Sequence, residues 1–377
     1  MEVLIAGDFV PSNRVETLID KGNYTEVLSN VRTFTDKVDY SIVNLEAPVV
    51  DSIDAKPILK TGPNLKCSVH AINALKYAGF DCVTLANNHF RDYGDKGVEA
   101  TLKYCEKFNI DYVGGGRNLQ SASKILYKKI HNQILAIINV CENEWSIASV
   151  KSGGSCPLNV INTYYKIKEA KSSADFVIVI VHGGTEHYNL PTPRMKETYR
   201  YFVDCGVDAV INHHQHCYSG YELYNNKPIF YGLGNFCFDQ GVDTPEFWNK
   251  GFLVKLKLDD QISFELLPYT QCRIKPTVDF DVTKRDFEDQ INHLNSIIAD
   301  DHLLEDHFQQ FVNSHIQSMS FIFEPFQNRI FDFFNSHHLL PSFVSQKKYL
   351  KILAFFRCES HRDIMFNMLI KKLNQEK

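Results

Sequence analysis

Uniformly apolar, β-branched runs of strand length recur along this chain and constrain its fold more than any other feature. FVIVIV at 176–181 is the longest. Others lie in EVLIAG (2–7), YSIVNL (40–45), FDCVTLA (80–86), IDYVGG (110–115), QILAIINV (133–140), VDAVINH (207–213) and PIFYGLGN (228–235). An apolar run without alternation suits a central strand covered on both faces. Amphipathic stretches at 65–78, 95–108, 160–172 and 194–205 separate these runs. In 95–108, Val98, Leu102, Cys105 and Phe108 recur at helical spacing. Strand and helix in alternation predict an α/β layered sheet.

GFLVKLKL (251–258) and ISFELLPY (262–269) alternate apolar and polar residues around a turn at Asp259–Gln261, and predict an antiparallel hairpin at a sheet edge. Beyond residue 277 the pattern changes. Phe287, Ile291, Leu294 and Ile298 mark one helix, and Phe308, Phe311, Val312 and His315 another. Ser360 caps a last expected helix through Leu373, with Asp363 at its third position. The expected division is a domain over 1–275 and a helical accessory region over 278–377, whose phenylalanines at 320–334 read as core.

A net charge of −5 carries no footprint for nucleic acid. The N-terminal MEVLIAGDF enters a strand directly, without a basic region or cleavage site, and no run has the length of a membrane span. The ten cysteines form no C-x-x-C pair, and several sit inside apolar runs, the usage of free thiols in a reducing compartment. A cytoplasmic location is expected.

The polar residues that break the pattern sit at strand ends, where open α/β sheets build their sites. Asp8 ends the first strand. Glu46 follows the second, after Asn44. Asn87, Asn88 and His89 follow the third, and His182 ends another. His213, His214 and His216 follow a fifth. Singly, each has a plain alternative: a cap, a turn residue or a satisfied core histidine. Three imidazoles within four residues are rarely needed for packing, although a histidine-rich surface turn is the competing reading. Carboxylates, an amide oxygen and neutral imidazoles suit Mn²⁺, Zn²⁺ or Fe²⁺, one ion or two. A carboxylate-bridged pair of such ions makes water acidic enough to act as a nucleophile near neutral pH. Gly114–Gly116 reads as a structural turn, Cys217 as packing, and Cys141–Trp145 as a surface loop, with the rim of the cleft as its alternative.

These residues also carry a family resemblance. LKYAGFDCVTLANNHFRDYGDKGVEATL, IVHGGTEHYNLPTP, FVDCGVDAVINHHQHCYSGYELYNNKPIFYGLGNFCFD and VNLEAP resemble, in order and spacing, the blocks of the CapA, or poly-γ-glutamate capsule synthesis, family over residues 1 to about 270. The resemblance implies a calcineurin-like layered α/β sandwich with a C-terminal helical extension. It places one metal on Asp8, Glu46 and His216. The other falls on Glu46, Asn88, His182 and His214, with Glu46 bridging. His89 becomes the acid near the leaving group, and Asp92 and Glu186 join the catalytic set. Asn44, Asn87, His213 and Asn235 become substrate contacts or supports of the ligands.

This sequence departs from the family pattern at several positions. Val10 stands where the calcineurin pattern has a further histidine ligand, Gly183 replaces a tryptophan of the cleft wall, and Asn212 and Gln215 replace glycine and proline around the histidines. The leading expectation is a metal-dependent hydrolase that cuts an amide or phosphoester bond of an anionic polymer or phosphoester, in capsule, poly-γ-glutamate or cell-surface polymer biosynthesis. The alternative is a non-catalytic polymer-binding or synthase-partner subunit, with the C-terminal helices as the partner surface. An intracellular nucleotide phosphodiesterase is a third.

Overall fold

The structure is a computed structural model; it describes residues 1–320, 329–337, 339, 344–357, 365 and 369. Strands β1 (Glu2–Val10), β2 (Tyr40–Leu45), β3 (Cys82–Thr84) and β4 (Asp111–Val113) lie side by side in parallel. A short ladder begins at β5 (Gly115–Gly116). The antiparallel pair β6 (Leu126–Ile130) and β7 (Gln133–Cys141) follows, and β8 (Gly154–Ser155) closes back onto β5. Gly114–Gly116 thus serves the chain path, as a structural turn should.

A second sheet grows on β7 by β9 (Phe176–His182), β10 (Ala209–His213), β11 (Tyr221–Tyr224) and β12 (Lys227–Phe230), in the order β11-β12-β10-β9-β7-β6. The chain then returns to the first sheet. β13 (Asn235–Phe238) pairs with the end of β1, and β14 (Lys250–Lys257), β15 (Ser263–Gln271) and β16 (Val278–Asp279) extend that sheet antiparallel. The run at 228–235 is therefore not one strand: it turns at Tyr231–Gly234 and divides between the two sheets. The predicted hairpin is β14–β15.

Side-chain alternation along β1 builds the layers. Val3 and Ile5 join Ile42, Ile137, Ile178, Ile180 and Ile211 in a core between the two sheets. Leu4 and Ala6 point the other way, into a core with Val43, Val83 and the helices Asn13–Asp20, His70–Tyr77 and Gly94–Lys107. The helices Val160–Lys171 and Pro193–Asp204 pack on the second sheet. The predicted α/β sandwich is the observed fold.

The chain divides into two compact units, Met1–Glu305 and Asp306–Lys377. The first continues past residue 275 because the helix Lys284–Ala299 buries Phe287 and Ile291 in the inter-sheet core, with Leu294 and Ile298 also buried. The second contains the helices Arg329–Ser336 and Gln346–Arg357. There Phe333 and Phe334 are exposed, at 55% and 39%, rather than core, while Phe321, Phe323 and Phe326 lie outside the described residues. Ser360, Asp363 and Leu373, which mark the last expected helix, lie outside the described residues. Among the described residues no helix is long and apolar enough to cross a membrane. The described cysteines are free thiols.

Candidate metal centre

The carboxyl ends of β1, β2, β3, β9 and β10 converge on one buried cluster. Asp8, Glu46, Asn88, His182, His214 and His216 are all less than a tenth exposed. One nitrogen or oxygen from each of Glu46, His182 and His214 lies within 4.8 Å of the others, and so do those of Asp8, Glu46 and His216. His182 Nε2 is 3.0 Å from Asn88 Oδ1, 3.1 Å from His214 Nδ1 and 3.5 Å from Glu46 Oε1. His216 Nε2 lies 3.8 Å from the same Glu46 oxygen. The two candidate donor groups that the resemblance implied thus come together, with Glu46 common to both.

Glu46 decides whether a metal fits. Its side chain is fully buried, and neither carboxylate oxygen has a hydrogen-bond partner. An ionised carboxylate so placed is costly unless a cation compensates it. Burial first, then Asp8, Glu186, Glu144 and Asp92, push its pKa well above the ordinary glutamate range. Burial and the neighbouring His214 push His182 well below the usual histidine value. Burial is also the main cause that brings His216 down to about 4. Neutral imidazoles beside an uncompensated carboxylate make a donor set suited to a divalent ion. Asp8 differs: burial alone would raise it, but the His213 imidazole beside it, with His182 and His216, holds it below the usual carboxylate range.

The supporting residues hold these donors in place. Asn44 donates to Asp8 Oδ1 at 2.7 Å, and its own oxygen accepts from Thr84 at 3.1 Å and from Asn87 at 3.4 Å. Asn87 also donates to the Leu45 carbonyl at 2.8 Å. Asn235 Oδ1 accepts from His216 Nδ1 at 2.9 Å, which leaves Nε2 as the free ring nitrogen. Asn235 reaches there because β13 joins β1 closely: a Cβ on Gly7 would fall 2.0 Å from the Gly234 carbonyl oxygen. His213 ends β10, its Nδ1 3.4 Å from Asp8 Oδ1. Asp92 is buried, with Oδ2 2.6 Å from His89 Nδ1. Glu186 is exposed in the loop after β9, and its charge is felt at Glu46 and His216.

The histidine loop carries backbone strain. His214 and His216 have φ of 95° and 55°, in the region that ordinary side chains avoid. Such residues cost on the order of 1–3 kcal/mol each and persist where the surroundings over-determine them. Asn212 and Gln215 supply that restraint. Asn212 donates to the carbonyls of Gly183, His213 and Tyr231 at 2.9, 2.8 and 3.1 Å and accepts from Tyr199 at 2.6 Å. Gln215 donates to the carbonyls of Tyr188 and Leu190 at 2.7 and 3.1 Å. The substitution Asn212→Ala is expected to destabilise the protein by about 1–3 kcal/mol through the stranded partners, read as a lower urea midpoint at unchanged m. An unchanged midpoint would show that this network does not restrain the loop.

The family comparison follows from these blocks. The model described as bacterial capsule synthesis protein PGA_cap matches residues 2–240. The chain belongs to that family. Relatives include the capsule biosynthesis protein CapA of Bacillus anthracis, 32% identical over 249 residues, covering 64% of this chain and 60% of that one. The PGA biosynthesis protein CapA of Bacillus subtilis is 33% identical over 238 residues, covering 62% of each. The chain thus spans about 60% of the length of these curated relatives. Among solved structures, a putative 5'-nucleotidase from Staphylococcus aureus aligns with 81% of this chain and 58% of its own, at 15% identity and a TM-score of 0.42. A hypothetical protein from Thermus thermophilus aligns with 71% of this chain and 99% of its own, at 15% identity and a TM-score of 0.45.

The positions singled out in the sequence as departures now have locations. Val10 is 1% exposed in the core beneath the first sheet and offers no donor. The space beside Gly183 is taken by Glu142, whose Cγ is 2.8 Å from where a Cβ would sit, so the wall is refilled rather than simply opened. Burial pushes the Cys217 thiol up to about 12, in keeping with packing.

Two charged residues stand nearer the cluster than the sequence placed them. Glu144, in a loop read as surface, has Oε1 3.5 Å from His214 Nε2, and its Oε2 accepts from Asn88 Nδ2 at 3.4 Å. The signal was its place directly after the apolar run 133–140; because β7 pairs in parallel with β9, that loop emerges at the same edge of the sheet. Lys60 had no such signal. It lies in an irregular segment, with Nζ 2.5 Å from Asp92 Oδ1 and 3.1 Å from His89 Nδ1.

Proposed function

We propose that this chain is a two-metal hydrolase that cleaves an amide or phosphoester bond of an anionic polymer or phosphoester during poly-γ-glutamate, capsule or related cell-surface polymer biosynthesis. The buried Glu46 carboxylate, without hydrogen-bond partners and shared by two ligand sets, carries this reading. Asp8, Glu46 and His216 would hold one divalent ion, of Mn, Zn or Fe, and Glu46, Asn88, His182 and His214 the other. Such ions supply Lewis acidity and make water acidic near neutral pH. The chain's own part is positioning: Asn44 and Asn235 orient Asp8 and His216, and Asp92 orients His89, the candidate proton donor to the leaving group. Family membership supports the pathway. A cytoplasmic location belongs to the same reading and is supported by the buried free thiols.

Elemental analysis tests the site. The purified protein is expected to bind up to two equivalents of divalent metal, and His214→Ala to lose one. A full complement in His214→Ala would remove that histidine from the ligand set.

Val10 favours a second reading, because apolar packing at that position leaves the Asp8 ion a smaller donor set. The chain would then be a non-catalytic polymer-binding or synthase-partner subunit, its C-terminal helices a partner surface. Absence of metal under saturating conditions supports that reading; two equivalents with hydrolysis of a model ester rejects it.

A further inference from the structure

The imidazole of His216 is the first of a row of rings that leads from the centre to solvent. It packs on Trp248 with ring centroids 4.9 Å apart and lies 6.2 Å from His187. His187 lies in turn 5.8 Å from Trp248 and 5.5 Å from Phe247. Trp248 is buried, His187 is exposed and Phe247 is 39% exposed.

The backbone under these rings is braced. Trp248 Nε1–H donates to the Phe238 carbonyl at 2.8 Å, and Asn249 Nδ2 to the Gln271 carbonyl at 2.8 Å. The Trp248 carbonyl accepts from Asn235 Nδ2 at 3.2 Å, which ties the turn Glu246–Asn249 to the residue that orients His216. His187 has a φ of 63°, and its N–H donates to the Gln215 carbonyl at 2.8 Å. A single exposed aromatic is ordinary on a protein surface. Two of them, on braced backbone and in ring contact with a candidate ligand, make a platform at the mouth of the site.

Charge selects what this platform can hold. Glu186 is exposed next to His187, and Glu144 stands 3.5 Å from His214 Nε2. Two nearby cations are already paired: Arg194 Nη2 is 2.5 Å from Glu142 Oε1, and Lys250 Nζ is 2.9 Å from Glu246 Oε1. A chain of carboxylates would meet like charge at Glu186 and Glu144. Hydroxyl groups would not, because an ionised carboxylate accepts and a hydroxyl donates to it. A pyranose ring meets both demands: its C–H face packs on an aromatic ring while its hydroxyls reach the carboxylates. The phosphoryl end has a separate anchor. Glu46, fully buried with both oxygens unpartnered, marks the place where cations would hold it.

We propose that His187 and Phe247, with Glu186, form a subsite for the pyranose ring of a sugar phosphoester, seated beside the centre so that the phosphoryl group reaches it. This rests on the hydrolytic reading above and narrows it to a phosphoester. The plain alternative, in which Phe247 merely covers His187, uses the same contacts and is separated by experiment.

The test measures dissociation constants and turnover for the full-length, manganese-loaded protein. The probes are the hexopyranosyl phosphates of glucose, galactose and N-acetylglucosamine, together with glycerol phosphate, adenosine monophosphate and tri-γ-glutamate. At least one hexosyl phosphate is expected to bind about 10-fold more tightly than glycerol phosphate or tri-γ-glutamate. Phe247→Ala is expected to weaken that hexosyl phosphate by about 3- to 10-fold, with a much smaller change for glycerol phosphate and recovery in Phe247→Trp. Glu186→Gln is expected to weaken the sugar and to strengthen tri-γ-glutamate. Equal losses on both phosphates in Phe247→Ala, no measurable hexosyl phosphate binding, or tighter binding of adenosine monophosphate or tri-γ-glutamate than of every hexosyl phosphate would overturn the subsite. If the hexosyl preference and its loss in Phe247→Ala are seen while no phosphate is hydrolysed, the hydrolytic reading fails and the subsite stands.

Discussion

Replacing Glu46 with alanine is expected to empty both metal positions and to lower hydrolysis by about 10³-fold or more, the scale of losing several kcal/mol of Lewis-acid stabilisation at tenfold per 1.36 kcal/mol. No other residue belongs to both ligand sets. The more informative variant is Glu46→Gln, which keeps the shape and removes the charge. Without metal, the wild-type carboxylate is buried with both oxygens unpartnered, and burial drives it toward protonation. At pH 8, metal-free Glu46→Gln is therefore expected to be more stable than metal-free wild type by about 1–3 kcal/mol. Metal reverses the order. At 100 to 1,000 times its dissociation constant, a ligand of the folded state adds about 3–4 kcal/mol, and wild type alone should gain it. Thermal melts of both proteins with chelator and with manganese would show the two curves exchanging places. Identical melts with and without metal would mean that Glu46 does not serve a cation.

Acidification provides the second large effect. His182 and His216 are held below the ordinary histidine value, His216 at about 4, chiefly by burial. A base whose folded pKa is depressed contributes stability that is present above the unfolded value, near 6.5, and is lost as pH falls through the folded value. The window for His216 thus runs from about 6.5 down to about 4, and the loss there is on the order of 3 kcal/mol. Glu46 works in the opposite sense. Its folded pKa is raised, so its contribution is present at low pH and is lost as pH rises from the ordinary glutamate value through the raised one. Metal-free protein should consequently be most stable at an intermediate pH and weaken on both sides. Bound metal removes the alkaline loss, because the cation replaces the proton on Glu46, and leaves the acidic one. Urea midpoints between pH 4 and 9, with and without metal, measure this directly. A metal-free profile that keeps rising to pH 9 would contradict the burial of an unpaired Glu46.

The strands and the polar residues at their ends were legible in the sequence because both follow local rules, whereas the division of those residues into two ligand sets came from the family resemblance. A run such as YSIVNL is apolar on both faces, and the structure covers both faces of β2. The break from apolar to polar at Asp8, Glu46, Asn88, His182 and His214 marks the sheet edge at which side chains leave the core. The run at 228–235 was misread because composition does not show that Gly234, at φ 78°, redirects the chain from one sheet to the other. Glu144 was passed over for a related reason: its loop resembles any surface loop until β7 is known to lie beside β9.

Sequence alone determined the layered α/β class, the helical texture after residue 277 and the kinds of donor side chain at the strand ends, because periodicity and donor type are properties of short stretches of chain. Tertiary structure alone decided that Asn212 and Gln215 brace the histidine loop, that Glu142 fills the space beside Gly183, that Lys284–Ala299 packs into the first unit and that Lys60 lodges on Asp92. Each of these depends on two segments meeting from different parts of the sequence. The strength of a charge or an orphaned oxygen is set by how much water that meeting excludes.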